Sequence, residues 1–429
     1  MSRLRAVAAA LSLGMPFVAT AADLTRVASS FEDDDPFGLF IDVGIEHTQH
    51  RTHILRELSS PVDQTGRAPQ ELGSALSYSQ FETRLNFDLA AGISQDVEFS
   101  FGLPFVLFRN EYWDAAEGAN SDTLSRGSNP NGTPITNTNP DGTLANPSLF
   151  PVPYQAYRAG FGNARFGLAW AIFNQKRDDT KPTWVARFNY EAPTASKLDP
   201  SLDTRDDNPR TPVGDRVHKY TLSTALSRKI GLAEPYFKAA YTIPVRGPGA
   251  YSNCENPGVG LGAPENCYEN GWDRAETGIQ APHVLGVVVG SEFQVIDNPR
   301  RNIRLDVRAM SNFVGAGRYY NEMSGALGKM LYTTEYLQVG GQVGLTARVN
   351  DIISIRGSAM FLYNTDHALT AEAPGQDTNE DGKADFEDIA GNPSNRNPSF
   401  DYRTDLASRR FFASESRDLR FDVTATFAF

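Results

Sequence analysis

The chain has 429 residues, 40% hydrophobic and 21% charged, with 36 glycines and 26 prolines, a turn-rich composition that excludes an architecture of long helices. The 40 basic residues against 52 acidic ones give a net charge of −12, which excludes a protein that wraps nucleic-acid phosphates. A mean hydropathy of −0.39, with one long small-apolar run at the N-terminus, excludes a bundle of membrane-spanning helices but leaves a membrane β-barrel, whose polar lumen and loops dilute the average.

The start, MSRLRAVAAALSLGMPFVATAAD, places Arg3 and Arg5 before an apolar stretch from Ala6 to Val18, then small residues ending at Ala21 and Ala22. This is the pattern of a secretory signal peptide, read as residues 1–22, with a periplasmic tail over 23–36. No cysteine lies near the cut, so no lipid anchor is expected. The stretch SSFEDDDPFG, residues 29–38, is open to two readings, a periplasmic tail or entry into a barrel.

The first strand is expected at 38–54. It contains HTQHRTH, where His47 and His53 share a face about 20 Å apart and His50 points the other way. A three-histidine metal site would require the strand to break, so these are read as rim residues. The next strand alternates cleanly: Phe81, Thr83, Leu85, Phe87, Leu89 and Ala91 against Gln80, Glu82, Arg84, Asn86 and Asp88. After the turn GISQD, Val97, Phe99, Phe101, Leu103, Phe105 and Leu107 repeat the pattern. Further strands are expected near 161–173, 183–191, 217–228, 235–245, 283–296, 302–313, 333–349, 352–364 and 416–429, twelve altogether.

The connections alternate. Those at 92–96, 174–182, 229–234, 297–301 and 350–351 are short, while those at 55–76, 114–160, 192–216, 246–282, 314–332 and 365–415 are long. Outer-membrane barrels have this arrangement, with short periplasmic turns and long outside loops. The reading is an all-β, antiparallel up-and-down barrel over residues 37–429 in the cell outer membrane, both termini in the periplasm, with lipid as its outer partner. The last strand, RDLRFDVTATFAF, alternates and ends on Phe429. It looks like the C-terminal signal by which the barrel-assembly machinery recognises its substrates.

The strand pair around GISQDVEFSFGLPFVL (92–107), GFGNARFGLAW (160–170) and the strand ending in NYEAPTA (189–195) resemble outer-membrane barrels of the phenol-degradation meta-pathway type. More loosely, they resemble the long-chain fatty-acid transporter group. The resemblance covers about the first half of the chain, and its motifs are structural. It implies passage of small hydrophobic or aromatic compounds and carries over no substrate-binding residue.

If the apolar faces meet lipid, the inward set is Asp42, Glu46, Glu82, Arg84, Asp88, Glu98, Arg165, Arg187, Glu191, Arg304, Asp306, Arg308, Arg348, Arg356, Arg420 and Asp422. Opposite charges across a narrow lumen are expected to pair. Twelve strands fall between filled eight-stranded barrels and open channels of sixteen or more, so a partly filled lumen is expected.

Cys254 and Cys267, the two cysteines of the chain, fall in one long loop and are expected to bridge in an oxidising compartment. DTNEDGKADFED, residues 377–388, matches the calcium-loop pattern: Asp377, Asn379 and Asp381 at positions one, three and five, Gly382 at six, the Lys383 carbonyl at seven, Asp385 at nine and Asp388 at twelve. Asp at twelve in place of Glu predicts a weak, extracellular-type calcium site; the competing reading is a solvated acidic loop. Some twelve-stranded barrels are calcium-dependent lipid hydrolases with a histidine two residues before the serine, and none of the six histidines here stands so. No enzyme is expected. The loop 114–160, rich in Asn, Gly, Pro, Ser and Thr, supports an alternative class, a non-conducting surface barrel that displays its loops for binding or adhesion.

Overall fold

The computed structural model describes residues 22–29, 38–58, 71–119, 124, 149, 152–202, 211–256, 262–269, 271–298, 301–350 and 352–429. Residues 1–21 of the leader and most of loop 114–160 lie outside them. The strands in chain order are β1 Leu39–Leu58, β2 Glu71–Ser94, β3 Val97–Ala115, β4 Tyr154–Phe161, β5 Arg165–Phe173, β6 Thr183–Glu191, β7 Val217–Ser227 and β8 Ala233–Arg246. They continue as β9 Val284–Asn298, β10 Arg301–Val314, β11 Gly317–Tyr319, β12 Leu331–Thr333, β13 Tyr336–Arg348, β14 Ile353–Asn364, β15 His367–Ala368 and β16 Phe411–Ala428.

Neighbours in sequence pair antiparallel around a wall that β1 and β16 close, from Phe40 opposite Ala428 to Arg56 opposite Phe411. β4 and β5 share one place in that wall, β11 and β12 form a separate hairpin, and β15 is a short addition to β16, so the wall has the twelve strands expected. Closure pairs the first strand of the wall with the last, so neither is left as an edge.

The predicted strand at 161–173 is interrupted. Pro104 in β3 has no N–H to offer the ladder, and the chain opposite breaks at residues 162–164 between β4 and β5. Gly162 donates its N–H to the Pro104 carbonyl at 2.9 Å, and a Cβ there would stand 2.8 Å from the proline ring, so the close approach requires glycine.

Side chains alternate as the sequence requires. Val43, Ile45, Leu85, Phe87, Leu168, Trp170, Leu222, Val289, Val343, Phe421 and Val423 point outward with 41–55% exposure. An apolar surface of that extent has its natural solvent in lipid. The inner face buries Glu82, Glu98, Glu234, Glu292 and Asp306.

β1, β2 and β3 run well past the predicted boundaries on the long-loop side. There Ile54, Ala75, Leu76, Tyr78, Trp113, Phe411 and Ala413 point inward and pack with Met323, Leu331 and Leu369 of the loops, a hydrophobic core inside the barrel mouth. At the short-turn end, the tail expected at 23–36 in the periplasm begins instead against the inner wall. Val27 packs on the inward-facing Ala169, Ala171 and Val185, and the Ala28 N–H donates to Glu98 at 2.7 Å. Small inward residues on β5 and β6 leave the room, and inward carboxylates take the segment's N–H groups. Residues 30–37 lie outside the described part.

Candidate functional site

The lumen is crossed by ion pairs built from the predicted inward set. Glu82 on β2 accepts from Arg84, two residues along the same face, and from Arg109, its register partner on β3. Glu46 of β1 lies 3.4 Å from Arg84 and 3.7 Å from Arg420. On the opposite wall Asp306 takes Arg308 at 3.0 Å, Arg356 at 2.9 Å and the Tyr236 hydroxyl. Arg304 pairs with Glu292, Arg165 with Asp88 and Arg187 with Glu98, each at 3.1 Å. Of the lumen residues singled out from the sequence, Glu46, Glu82, Arg84, Asp88, Glu98, Arg165, Arg187, Glu191, Arg304, Asp306, Arg308, Arg356 and Arg420 therefore sit in cross-strand or same-face ion pairs; Asp42 and Asp422 accept hydroxyl hydrogen bonds from Thr426 and Ser358. An interior with its charges paired avoids the penalty of isolated buried ions.

Among the described residues two cavities stand out. One, of about 420 Å³, is lined by Asp88, Arg165, Glu191, Lys219, Thr221 and Thr242 together with Phe101, Phe166 and Tyr190, so charged groups and aromatic rings share its wall. Lys219 lies 3.0 Å from Glu191 and 2.8 Å from Asp215. The other, of about 220 Å³, lies at the outer mouth, where Tyr78, Tyr319, Tyr320 and Tyr336 face it together with His50, Arg109, Glu111 and Glu322.

Loop residues reach into the mouth. Glu322 reaches down to His50 Nε2 at 3.1 Å, while His50 Nδ1 meets Asp418 at 2.7 Å. The Trp113 indole N–H donates to the Glu322 carbonyl at 2.6 Å. Burial pushes the Glu322 carboxyl up, but the hydrogen bond and charge of His50 outweigh it and hold the group at about 2. The histidine cluster is thus divided as the strand geometry requires: His50 faces in and ties the wall to the cap, and His47 bonds Thr83 at 2.8 Å. Arg109, Glu292 and the His50–Glu322 contact were missed in the sequence, because Arg109 follows a register shift in β3 and Glu292 lies on the strand that alternates least.

Above the mouth the long loops form one folded body. Cys254 and Cys267 are bridged, and the bridged segment docks by Asn253, which donates to the Met330 carbonyl at 3.0 Å and accepts from its N–H at 2.9 Å. Asn266 donates to the Pro393 and Arg396 carbonyls, each at 2.8 Å, and the Trp272 indole to Ser394 at 3.2 Å. Inside this body Arg318 pairs with Glu372, Lys329 with Asp401 at 3.2 Å, and Asp405 accepts from the Glu372 and Asp401 N–H groups at 3.0 and 2.9 Å.

Burial pushes the Asp405 carboxyl up to about 7, Glu372 and Asp401 adding to it against Lys329. Since an unfolded Asp titrates near about 3.9, the folded loops hold this proton more tightly; the stability it contributes is complete below about pH 4 and lost as pH rises through about 7. Proteolysis of the loop body in purified protein is therefore expected to quicken between pH 5 and 8, by up to about tenfold per unit, and Asp405→Asn to flatten the dependence. A wild-type rate independent of pH over that range contradicts the assignment.

In the segment 377–388, Asp377 accepts from the Gly382 N–H at 2.9 Å and Asp381 from the Lys383 N–H at 2.9 Å, while Asn379 accepts from Asp381 at 3.0 Å. Gly382 has φ +85°, the left-handed turn that the sixth position demands. Asp385 caps the short helix α1, Phe386–Ile389. Asp388 accepts from the N–H groups of Thr378, Asn379 and Asp385. Among the described residues, no three His, Cys, Asp or Glu side chains converge as a metal cluster. The donor types and the turn fit calcium, and the twelfth-position carboxylate is engaged with the backbone.

No protein-family model and no curated protein matches the chain. Among solved structures, it is similar to an outer-membrane channel of Pseudomonas putida F1, at 9% identity and TM-score 0.43 over 97% of this chain and 100% of that one. A FadL homologue of Pseudomonas aeruginosa is similar at 10% identity and TM-score 0.36, over 91% of this chain and 90% of that one. The CymD monoaromatic hydrocarbon channel is similar at 9% identity and TM-score 0.33, over 95% of this chain and 90% of that one.

Proposed function

We propose that the chain is a bacterial outer-membrane channel through which small aromatic or hydrophobic molecules pass, passively or by facilitated diffusion, and that the barrel-assembly machinery inserts it. The observation that carries this is the outer cavity of about 220 Å³ faced by four tyrosines, whose neighbouring charges already have partners. A cavity of about 150 Å³ is large enough for benzene, so the volume suits a one- or two-ring solute, and the hydroxyls and charged groups beside the tyrosine rings suit one that carries a polar substituent. Paired ions and hydroxyls along the inner cavity favour a solute that carries a hydroxyl or carbonyl beside its ring. No catalytic role is proposed for His50, since both of its ring nitrogens are engaged.

Uptake of radiolabelled phenol and toluene by liposomes containing the purified barrel tests this reading, with empty liposomes as reference. Faster uptake that increases again when residues 317–333 are replaced by a short linker is expected. The folded body of three loops favours a second reading, a non-conducting surface barrel; it takes over if uptake and ion conductance equal those of empty liposomes in both proteins.

Calcium belongs to either reading as a structural ion in the segment 377–388, held by Asp377, Asn379, Asp381, the Lys383 carbonyl, Asp385 and, after release from the amides, Asp388. A dissociation constant of about 0.1–1 mM is expected for a site of this type. Calorimetry on the intact barrel after chelation should detect binding that Asp381→Ala weakens. Absence of both heat and any change in loop proteolysis at millimolar calcium leaves the segment a solvated turn.

A further inference from the structure

The described N-terminal segment meets a carboxylate inside the barrel at its first residue, Ala22. Ala22 is fully buried, and its backbone nitrogen donates to Glu234 Oε1 at 2.7 Å. Ser227 Oγ donates to the same oxygen at 2.7 Å and stands 2.7 Å from Thr25 Oγ1, which donates in turn to the Ala22 carbonyl at 3.2 Å. The segment is also held further along: Arg187 donates to the Arg26 carbonyl, and the Arg26 guanidinium lies 4.3 Å over the Phe40 ring.

Glu234 is 8% exposed, and across the β8–β9 ladder it faces a second carboxylate, Glu292, which Arg304 serves. Among the described residues, no side-chain cation comes within ion-pair distance of Glu234; its partners are a backbone N–H and a hydroxyl. A buried carboxylate beside another, with neutral donors alone, lacks the cation that such a site demands.

The sequence supplies one. Ala19, Thr20 and Ala21 form the small-x-small pattern that a leader peptidase cuts after, which places the cut at Ala21–Ala22, one residue earlier than a 22-residue leader. We propose that Glu234 is the binding site of the mature chain's own α-ammonium. The leader peptidase adds water across the Ala21–Ala22 peptide bond, leaving a carboxylate on Ala21 and a protonated amine on Ala22. That amine stands where the backbone nitrogen meets Glu234, and the ion pair fixes the segment 22–29 in the periplasmic end of the lumen. Before the cut the same atom is a neutral amide with one hydrogen to give. Leader removal therefore both releases the chain and completes the anchor.

The inference rests on the barrel and the leader, so uptake results leave it unaffected. Mass spectrometry of barrel purified from outer membranes should show Ala22 as the first residue. Acetylation of its α-amine by an N-hydroxysuccinimide ester at pH 7 should be at least about tenfold slower in the folded protein than in guanidinium, because a buried, paired amine must open before it reacts. Glu234→Gln should raise the folded rate toward the unfolded one. A first residue at Asp23 or beyond, or wild-type labelling as fast folded as unfolded, overturns the proposal whether or not the variant folds.

Discussion

Leu85→Arg is expected to abolish most assembly of the barrel, while Asn86→Arg, one residue on, is expected to fold. Leu85 lies outward, 41% exposed, in register between Ile45 of β1 and Phe105 of β3. Its neighbours on that face, Val43 and Phe87, are as exposed, so an arginine there has hydrocarbon around it. A charge on the lipid face costs about 2–4 kcal/mol at the bilayer midplane, a large part of the about 5–15 kcal/mol that holds a folded protein together. Asn86 points into the lumen, where its side-chain oxygen has no hydrogen-bond partner among the described residues; an arginine there joins an interior already built of ion pairs. The folded fraction in lipid vesicles, read from heat-modifiable gel mobility, distinguishes the two. Equal folding of both variants contradicts the assignment of faces.

The wall was legible in the sequence wherever lipid dictates it. Alternation at Phe81–Ala91 and Val97–Leu107, short turns set against long loops, and the ending on Phe429 lead to twelve strands and to their inner and outer faces. The pattern fades where the strands leave the membrane. In residues 71–80 of β2 and 108–115 of β3 the outer face meets water and the inner face carries Tyr78 and Trp113, so the apolar side is now inside. The period of two persists there with its sense reversed, and a rule that seeks apolar residues outside ends the strand too early.

The site was legible in its charges and not in its partners. Arg84, Asp306 and Arg356 could be placed inward by parity alone, but which carboxylate meets which arginine depends on stagger around the closed wall, and the register shift at Thr83–Arg84 decides that Arg109 meets Glu82. The His50–Glu322 contact spans 272 positions in sequence, and nothing local signals it. The burial of Ala22 is of the same kind. A small residue beside a leader reads as a cleavage feature, and only the folded wall reveals that Glu234 waits opposite.

The second large effect is expected at Glu82. Its carboxylate is 2% exposed and takes both Arg84 and Arg109. Glu82→Gln keeps the volume and removes the charge; Arg84 retains Glu46 at 3.4 Å, while Arg109 loses the carboxylate that it contacts directly. Breaking a buried pair from one side costs about 3–5 kcal/mol, because the remaining charge stays desolvated. The same physics predicts a rescue: replacing both partners, Glu82→Gln with Arg109→Met, should restore much of the loss, since an apolar substitute leaves no unpaired ion. Denaturant midpoints in micelles of the wild type, Glu82→Gln, Arg109→Met and the double variant give the coupling directly. Glu82→Gln should also shift ion selectivity in planar bilayers toward anions, for the net charge of the lumen belt rises by one. If the double variant is no more stable than the single one, the pair is not the element that holds this part of the wall, and the lumen charges act singly.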